Sequence, residues 1–191
     1  LLPTAWAFVK LLKPKHRGLI FCGCLTLIWV FAGFGIAYLA HLKAILPANF
    51  WSHGSADERL IIWNGFTAFA QAGLPWGWGL ESAAAPEMTT FISSASDAIK
   101  TGVVGRLHPH NNILQILAEL GVPGFVICCL INAKLVSDIE VVQPEMRVSV
   151  YPFFAVVIAI GIISHGFWQP WWWASVLIGW YPIQALRVID S

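Results

Sequence analysis

A run of 21 consecutive residues without a charged side chain, residues 19–39, most constrains what this chain can fold into. As an α-helix it is long enough to cross the hydrocarbon core of a bilayer, which is about 30 Å thick. Apolar stretches recur at residues 113–135, 149–167 and 174–191. These lengths predict an all-α, polytopic membrane protein with about four transmembrane helices in the chain.

Composition excludes the other protein classes. Hydrophobic residues make up 58% of the 191 residues and charged residues only 11%, whereas about 25% of a soluble domain is charged. The same apolar content excludes an intrinsically disordered chain. A net charge of +1 with no extended basic patch argues against nucleic-acid binding. An integral membrane protein remains.

The distribution of cations predicts the orientation of the spans. Lys10, Lys13, Lys15 and Arg17 crowd together just before the first apolar run, whereas four cations are spread over residues 41–112. The positive-inside rule therefore predicts that residues 1–18 are cytoplasmic, or the tail of an earlier span, and that residues 40–112 form a large external loop. Continuing the count gives a cytoplasmic loop at 136–148, a short external loop at 168–173 and a last span at 174–191.

The long external loop contains local structural signals. Residues 57–72 predict an amphipathic helix, because apolar side chains such as Leu60 and Trp63 recur at steps of three and four. The sequence PWGWG at residues 75–79 predicts a turn. Residues 93–101 are a second, more polar helical candidate. A loop of this length with its own helices is typical of a functional region.

A dense polar group precedes the apolar stretch that starts at residue 113. It contains His108, His110, Asn111 and Asn112. Either asparagine can cap the following helix, whose N-terminus would suit an anion such as a diphosphate. The imidazole of His110 could accept a proton from a sugar hydroxyl. Two other interpretations stay open: a polar loop with two incidental histidines, or a zinc site, for which no further ligand lies nearby in sequence.

Charged side chains elsewhere allow two interpretations each. Arg59 could bind an anion with its guanidinium fork, or could be neutralised by Asp57 and Glu58. Glu119 lies inside a predicted span, where an ionisable group is costly and is usually functional or paired. A polar neighbour such as His165 would be its partner in the second case.

Three sequence elements resemble those of bacterial O-antigen ligases and O-antigen polymerases. Residues 110–124 fit the pattern H-N-x9-G-x-x-G, and residues 108–115 fit H-x-H-N-x-x-L-Q. Upstream, residues 59–63 fit R-x-x-x-W, and residues 75–79 are similar to the proline- and glycine-containing turn of the family. Their order and separation also agree with the family.

The resemblance implies an inner-membrane glycosyltransferase of the GT-C type, with its active site on the periplasmic face and no metal or other cofactor. Its donor would be a glycan on undecaprenyl diphosphate, and its acceptor either lipid A–core or another lipid-linked repeat. Family members have more spans, so the chain would be a C-terminal half. A flippase for lipid-linked glycans and a structural membrane subunit are the alternatives.

The resemblance also assigns roles to single residues. His110 is expected to be the general base. Binding of the diphosphate or glycan is expected from Arg59, Arg106, His108 and Asn111. The expected structural residues of the motifs are Trp63, Gly77, Gly79, Gly121 and Gly124.

Overall fold

The computed structural model describes Leu27 and residues 56–86, 89–139, 144–163 and 166–189. The described residues form six helices and no strand: α1 Ala56–Gly73, α2 Thr90–Ser94, α3 Asp97–Val103, α4 Asn112–Ile139, α5 Pro144–Ile163 and α6 Pro170–Ile189. The all-helical prediction is therefore confirmed for this part of the chain. The predicted segment 1–18 and, apart from Leu27, the predicted span 19–39 lie outside the described residues.

Helix α1 confirms the helix predicted at residues 57–72. Its apolar face, including Ile62, Phe66 and Phe69, is fully buried. On the same helix, Gly65 lies against Gly102 of α3, where an added Cβ would come within 3.0 Å of the Gly102 Cα. The two helices can therefore approach at backbone distance, which gives the predicted loop region a packed core of its own.

The second helix predicted in the loop, at residues 93–101, is wrong as a single element. Ala95 and Ser96 are extended, with ψ of 148° and 157°, and they separate α2 from α3. Serine favours this extended conformation immediately before a helix, and Asp97 favours the positive end of the α3 dipole. Ser96 and Asp97 therefore favour the start of a new helix, α3, over the continuation of α2.

Helix α4 consists of two parts with different surroundings. It is interrupted at Gly121, which has φ 61° and ψ −152°. Residues 113–119 are buried, and most of the apolar ones join the core formed with α1. Beyond the interruption, Val126, Ile127 and Leu130 are exposed. The exposed apolar surface of α4 therefore belongs mainly to residues 122–139. As a helix, this part is about 27 Å long.

Among the described residues, α4 is the one helix long and apolar enough to cross a membrane, and Val150–Ile162 is a shorter apolar segment. The predicted span 113–135 lies within α4, and the predicted spans 149–167 and 174–191 overlap α5 and α6. Both later helices begin earlier than predicted, at Pro144 and Pro170, because proline suits the first helical position. The total of about four spans and the cytoplasmic and external assignments stay predictions.

The last two helices pack beside the exposed part of α4. Ile139, Val150, Tyr151 and Phe154 form a second buried cluster. A mostly apolar crevice of about 150 Å³ lies between α4, α5 and α6, with Asn112 among the residues that line it. The histidine-containing loop therefore lies next to the end of a helical bundle.

Candidate active site

The first turn of α4 is capped by Asn111, not by Asn112. The Oδ1 atom of Asn111 accepts hydrogen bonds from the backbone N–H groups of Ile113 at 3.0 Å and Leu114 at 3.1 Å. Asn111 itself is fully buried. This placement favours a capping role over contact with a substrate, and it occupies two amides at the predicted anion site. Substrate binding by Asn111 stays a prediction.

His110 has a left-handed backbone conformation, with φ of 53°. A side chain in this region costs about 1–2 kcal/mol and persists only where neighbouring contacts enforce it. The preceding carbonyl, of Pro109, accepts a hydrogen bond from Nε1 of Trp63 at 3.0 Å, and the following residue is the buried cap Asn111. His110 is therefore held on both sides by α1 and α4.

The two histidines of the loop lie side by side. Their ring centroids are 4.3 Å apart, with the planes at 65°. The backbone N–H of His110 donates to Nδ1 of His108 at 3.3 Å, and Nε2 of His108 lies 3.3 Å from the amide nitrogen of Gln169. Both ring nitrogens of His108 thus face protein groups. Within the described ranges, no group of three His, Cys, Asp or Glu side chains is arranged to hold a metal ion.

The two candidate arginines have different surroundings. Nη1 of Arg106 forms an ion pair with Oε1 of Glu58 at 2.7 Å, which ties the histidine loop to the first turn of α1. Glu58 is therefore the partner of Arg106 and not, as the sequence allowed, of Arg59. Arg59 forms no hydrogen bond or ion pair with the described residues. It precedes Trp63 by four positions, so both lie on the face of α1 beside the histidine loop.

The predicted turn at residues 75–79 packs against the interruption in α4. The backbone N–H groups of Trp78 and Gly79 donate to the carbonyls of Ala118 and Glu119, at 2.8 and 2.9 Å. In return, the N–H of Val122 donates to the carbonyl of Pro75 at 2.8 Å. The turn therefore replaces the helical hydrogen bonds that α4 loses where it is interrupted.

Glycine is required where these two segments meet. A Cβ on Gly77 would lie 2.5 Å from the carbonyl oxygen of Glu119, and a Cβ on Gly121 would lie 2.1 Å from the carbonyl oxygen of Pro75. Gly79 has no such neighbour but has φ of 99°. Gly124 lies against Leu120, whose Cβ would be 2.3 Å from a Cβ at Gly124. Gly77 and Gly121 thus allow the contact between turn and helix, whereas Gly79 serves the turn conformation and Gly124 the packing within α4.

Two residues near the site, Trp168 and Gln169, carried no functional signal in the sequence. The buried carboxylate of Glu119 accepts hydrogen bonds from Nε2 of Gln115 and Nε1 of Trp168, and Gln169 faces His108. The expected neighbour of Glu119, His165, lies outside the described residues. Gln115, four positions before Glu119, was the one partner that helical spacing could indicate. The contacts made by residues 168 and 169 join segments far apart in the chain, so the sequence gives no sign of them.

Comparisons with known proteins give a consistent picture. Residues 1–129 match the sequence profile of the O-antigen ligase family. A protein of Rickettsia bellii is 32% identical over 177 residues, covering 87% of this chain and 40% of the relative. One of Rickettsia conorii is 35% identical over 130 residues, covering 63% of this chain and 29% of the relative.

A third relative, from Rickettsia felis, is 41% identical over 70 residues, covering 36% of this chain and 17% of the relative. All three relatives are named "Putative polysaccharide ligase". The chain spans at most 40% of the length of these three relatives. No solved structure matches the chain.

Proposed function

Because the chain belongs to the O-antigen ligase family, as the match over residues 1–129 shows, we propose that it carries the active-site loop of a membrane glycosyltransferase. The reaction is an inverting transfer of a glycan from undecaprenyl diphosphate to a sugar hydroxyl. The acceptor belongs either to lipid A–core, which makes the enzyme a ligase, or to another lipid-linked repeat, which makes it a polymerase. The reaction takes place on the external face of the inner membrane.

His110 acts as the general base in this proposal. Its imidazole takes the proton of the acceptor hydroxyl, and the hydroxyl oxygen attacks the anomeric carbon of the donor sugar. The bond from that carbon to the diphosphate breaks, and its electron pair leaves with undecaprenyl diphosphate. The observation that carries this role is the left-handed conformation of His110, because such a conformation at a non-glycine residue is concentrated at functional sites.

Arg59 binds the diphosphate of the donor and stabilises the charge that develops on the leaving group. What supports this role is its position one turn before Trp63, whose indole bonds to the loop of His110, and a guanidinium that no described acidic side chain neutralises. A guanidinium fork matches two phosphate oxygens at once. Arg106 contributes less, because Glu58 already neutralises it.

The arrangement of α4 suits a reaction on a lipid-linked substrate. Its first part is buried in the external-loop core, and its exposed apolar surface follows the interruption at Gly121. The histidine loop therefore lies at the end of α4 opposite its most exposed apolar part. A substrate whose diphosphate lies at the membrane surface can reach such a loop while its lipid stays in the bilayer.

Complementation of a deletion strain tests the proposal. The full-length gene carrying His110→Asn is the best variant, because asparagine tolerates left-handed conformations but supplies no base near neutral pH. The glycan size profile is compared with that of the deletion strain and of the strain carrying the wild-type gene, at equal protein abundance in the membrane. We expect the strain that carries His110→Asn to show the same glycan size profile as the deletion strain.

The defect also identifies the reaction. Single repeats on the final acceptor indicate a polymerase, and long glycans retained on the lipid carrier indicate a ligase. A wild-type profile from His110→Asn contradicts the assignment of His110 as the base. Movement of lipid-linked glycan across the membrane without a new glycosidic bond would instead support the flippase alternative.

A further inference from the structure

We propose that Glu119 is a positioning residue for the candidate active site. Its buried carboxylate joins three chain segments, and one of these segments holds the ring of His108 beside His110. The inference rests on the proposed function, since it takes the histidine pair as the site. It assigns a role to three side chains that have none in the proposed function: Glu119, Trp168 and Gln115, which is the last residue of the H-x-H-N-x-x-L-Q pattern. These three side chains are called the Glu119 cluster below.

The carboxylate of Glu119 is surrounded by hydrogen-bond donors. The side chain is 1% exposed. Nε2 of Gln115 donates to Oε1 at 3.1 Å, and Nε1 of Trp168 donates to Oε2. The backbone N–H groups of Glu81 and Ala83 donate to the same carboxylate. Four donors from three segments therefore converge on two oxygen atoms, so both oxygens of the side chain act as acceptors.

The cluster holds the segment that follows α5 in two places. Trp168 bonds directly to Glu119, and the backbone N–H of Phe167 donates to Oε1 of Gln115 at 2.7 Å. Gln115 thus uses its amide nitrogen on Glu119 and its amide oxygen on residue 167. Residues 166–169 are therefore fixed against the first part of α4 by two neighbouring side chains.

Both ends of the segment 166–169 contact the ring of His108. Gly166 lies so close that an added Cβ would come within 3.0 Å of Cγ of His108. The Gln169 amide lies 3.3 Å from Nε2 of the ring. A displacement of residues 166–169 would therefore displace the His108 ring, and with it the ring that lies 4.3 Å from His110.

The backbone N–H of His110 sets the proton position on His108, and Gln169 of the segment can match it. Because Nδ1 accepts the N–H of His110, a neutral ring carries its proton on Nε2. The amide oxygen of Gln169 has no hydrogen-bond partner among the described residues. A half turn of this amide exchanges its oxygen and nitrogen, and the oxygen then accepts the Nε2 proton. Glu119 acts through this contact on the orientation of the histidine pair.

Glutamate and glutamine have nearly the same shape, but an ionised glutamate has two accepting oxygens, whereas glutamine has one oxygen and a donating NH2 group. Glutamine would direct an NH2 group at a site where all the other groups are donors, so at least one contact would be lost. Glu119→Gln is therefore a small change in volume with a specific loss of hydrogen bonding. Trp168→Phe removes one donor and keeps an aromatic ring, which provides a milder variant if the first reduces folding.

A double-mutant cycle with His108→Ala tests whether Glu119 acts through His108. The full-length protein is purified, reconstituted, and added to membranes of the deletion strain, which supply the donor and acceptor lipids. The initial rate of release of undecaprenyl diphosphate is divided by the amount of folded protein. We expect Glu119→Gln to lower this rate at least tenfold with His108 present and less than twofold in the His108→Ala protein.

Trp168→Phe should give a smaller loss with the same dependence on His108, about threefold to tenfold. The control is Trp171→Phe, three positions further along the chain. The Trp171 ring packs on Trp172 and lies outside the cluster, so the rate of this variant should equal that of the wild type. If the losses of Glu119→Gln and His108→Ala multiply, Glu119 is a purely structural residue and the inference is wrong. An active His110→Asn protein would instead overturn the proposed function, so the two failures are distinguishable.

Discussion

Gly77 and Gly121 contact each other through their backbones: a Cβ added to Gly121 would lie 2.6 Å from the amide nitrogen of Gly77. Both residues have positive φ, 78° and 61°. The contact joins the turn at residues 75–79 to the point where α4 is interrupted. It therefore connects two motifs that are far apart in the sequence.

This contact predicts that Gly77→Ala and Gly121→Ala destabilise the protein much more than an ordinary glycine substitution. Backbone strain at positive φ costs about 1–2 kcal/mol, and overlap with backbone atoms that cannot move raises the total above about 3 kcal/mol. Gly105→Ala is the matched control, because Gly105 has φ of 73° and nothing within 4 Å of an added Cβ. Melting temperatures of the full-length protein in detergent measure the difference; equal shifts for all three variants would show that the contact is dispensable.

Trp63→Phe should reduce activity more than Trp78→Phe does. Trp63→Phe loses the bond from the indole N–H to the carbonyl of Pro109 at 3.0 Å, and Trp78→Phe loses the bond to the carbonyl of Phe69 at 2.8 Å. Each variant should lose about 1 kcal/mol of stability. Only the first bond holds the residue before His110. We therefore expect transfer to fall about tenfold in Trp63→Phe, as for misplaced catalytic groups, and to stay near wild type in Trp78→Phe. Equal losses of transfer in the two variants would argue against a positioning role for Trp63.

Substitutions of Asn111 separate capping from substrate binding. Loss of the cap in Asn111→Ala should cost about 1 kcal/mol, whereas Asn111→Asp keeps an accepting oxygen at the positive end of the α4 dipole. As a cap, aspartate should be more stable and more active than alanine. If Asn111 contacts the diphosphate, the added negative charge makes aspartate the less active of the two. Melting temperature and transfer rate together decide between these roles.

Arg59 and Arg106 should respond differently to removal of their charge. Arg59→Ala should lower transfer by about 10²–10³-fold, as expected for a lost charge-stabilising contact, with little change in melting temperature. Arg59→Lys keeps the charge but not the fork and should lie between wild type and Arg59→Ala. Arg106→Ala breaks the ion pair with Glu58, in which both side chains are partly exposed, and should cost at most about 1 kcal/mol. A larger loss of transfer for Arg106→Ala than for Arg59→Ala would reverse the proposed roles.

The elements that could be predicted from the sequence are those with local signals. Helical spacing of apolar residues was sufficient for α1, and an asparagine before an apolar stretch was sufficient for the start of α4. The contacts of the site were not predictable, because the bonds from Trp63 to Pro109 and from Trp168 to Glu119 join residues 46 and 49 positions apart. The motifs identified the glycines, but their spacing gives no sign that Gly77 and Gly121 touch. Glu119 was noticed because a buried charge is costly, and its partners became visible only in the packed structure.

The most direct test of the central claim is the initial rate of glycan transfer by the reconstituted full-length protein carrying His110→Asn. Loss of a general base lowers a rate by about 10²–10⁴-fold, and we expect a loss in this range with an unchanged melting temperature. His108→Asn, measured in parallel, should lose less, because both of its ring nitrogens already face protein groups. A His110→Asn protein that transfers glycan within threefold of the wild-type rate would contradict the account.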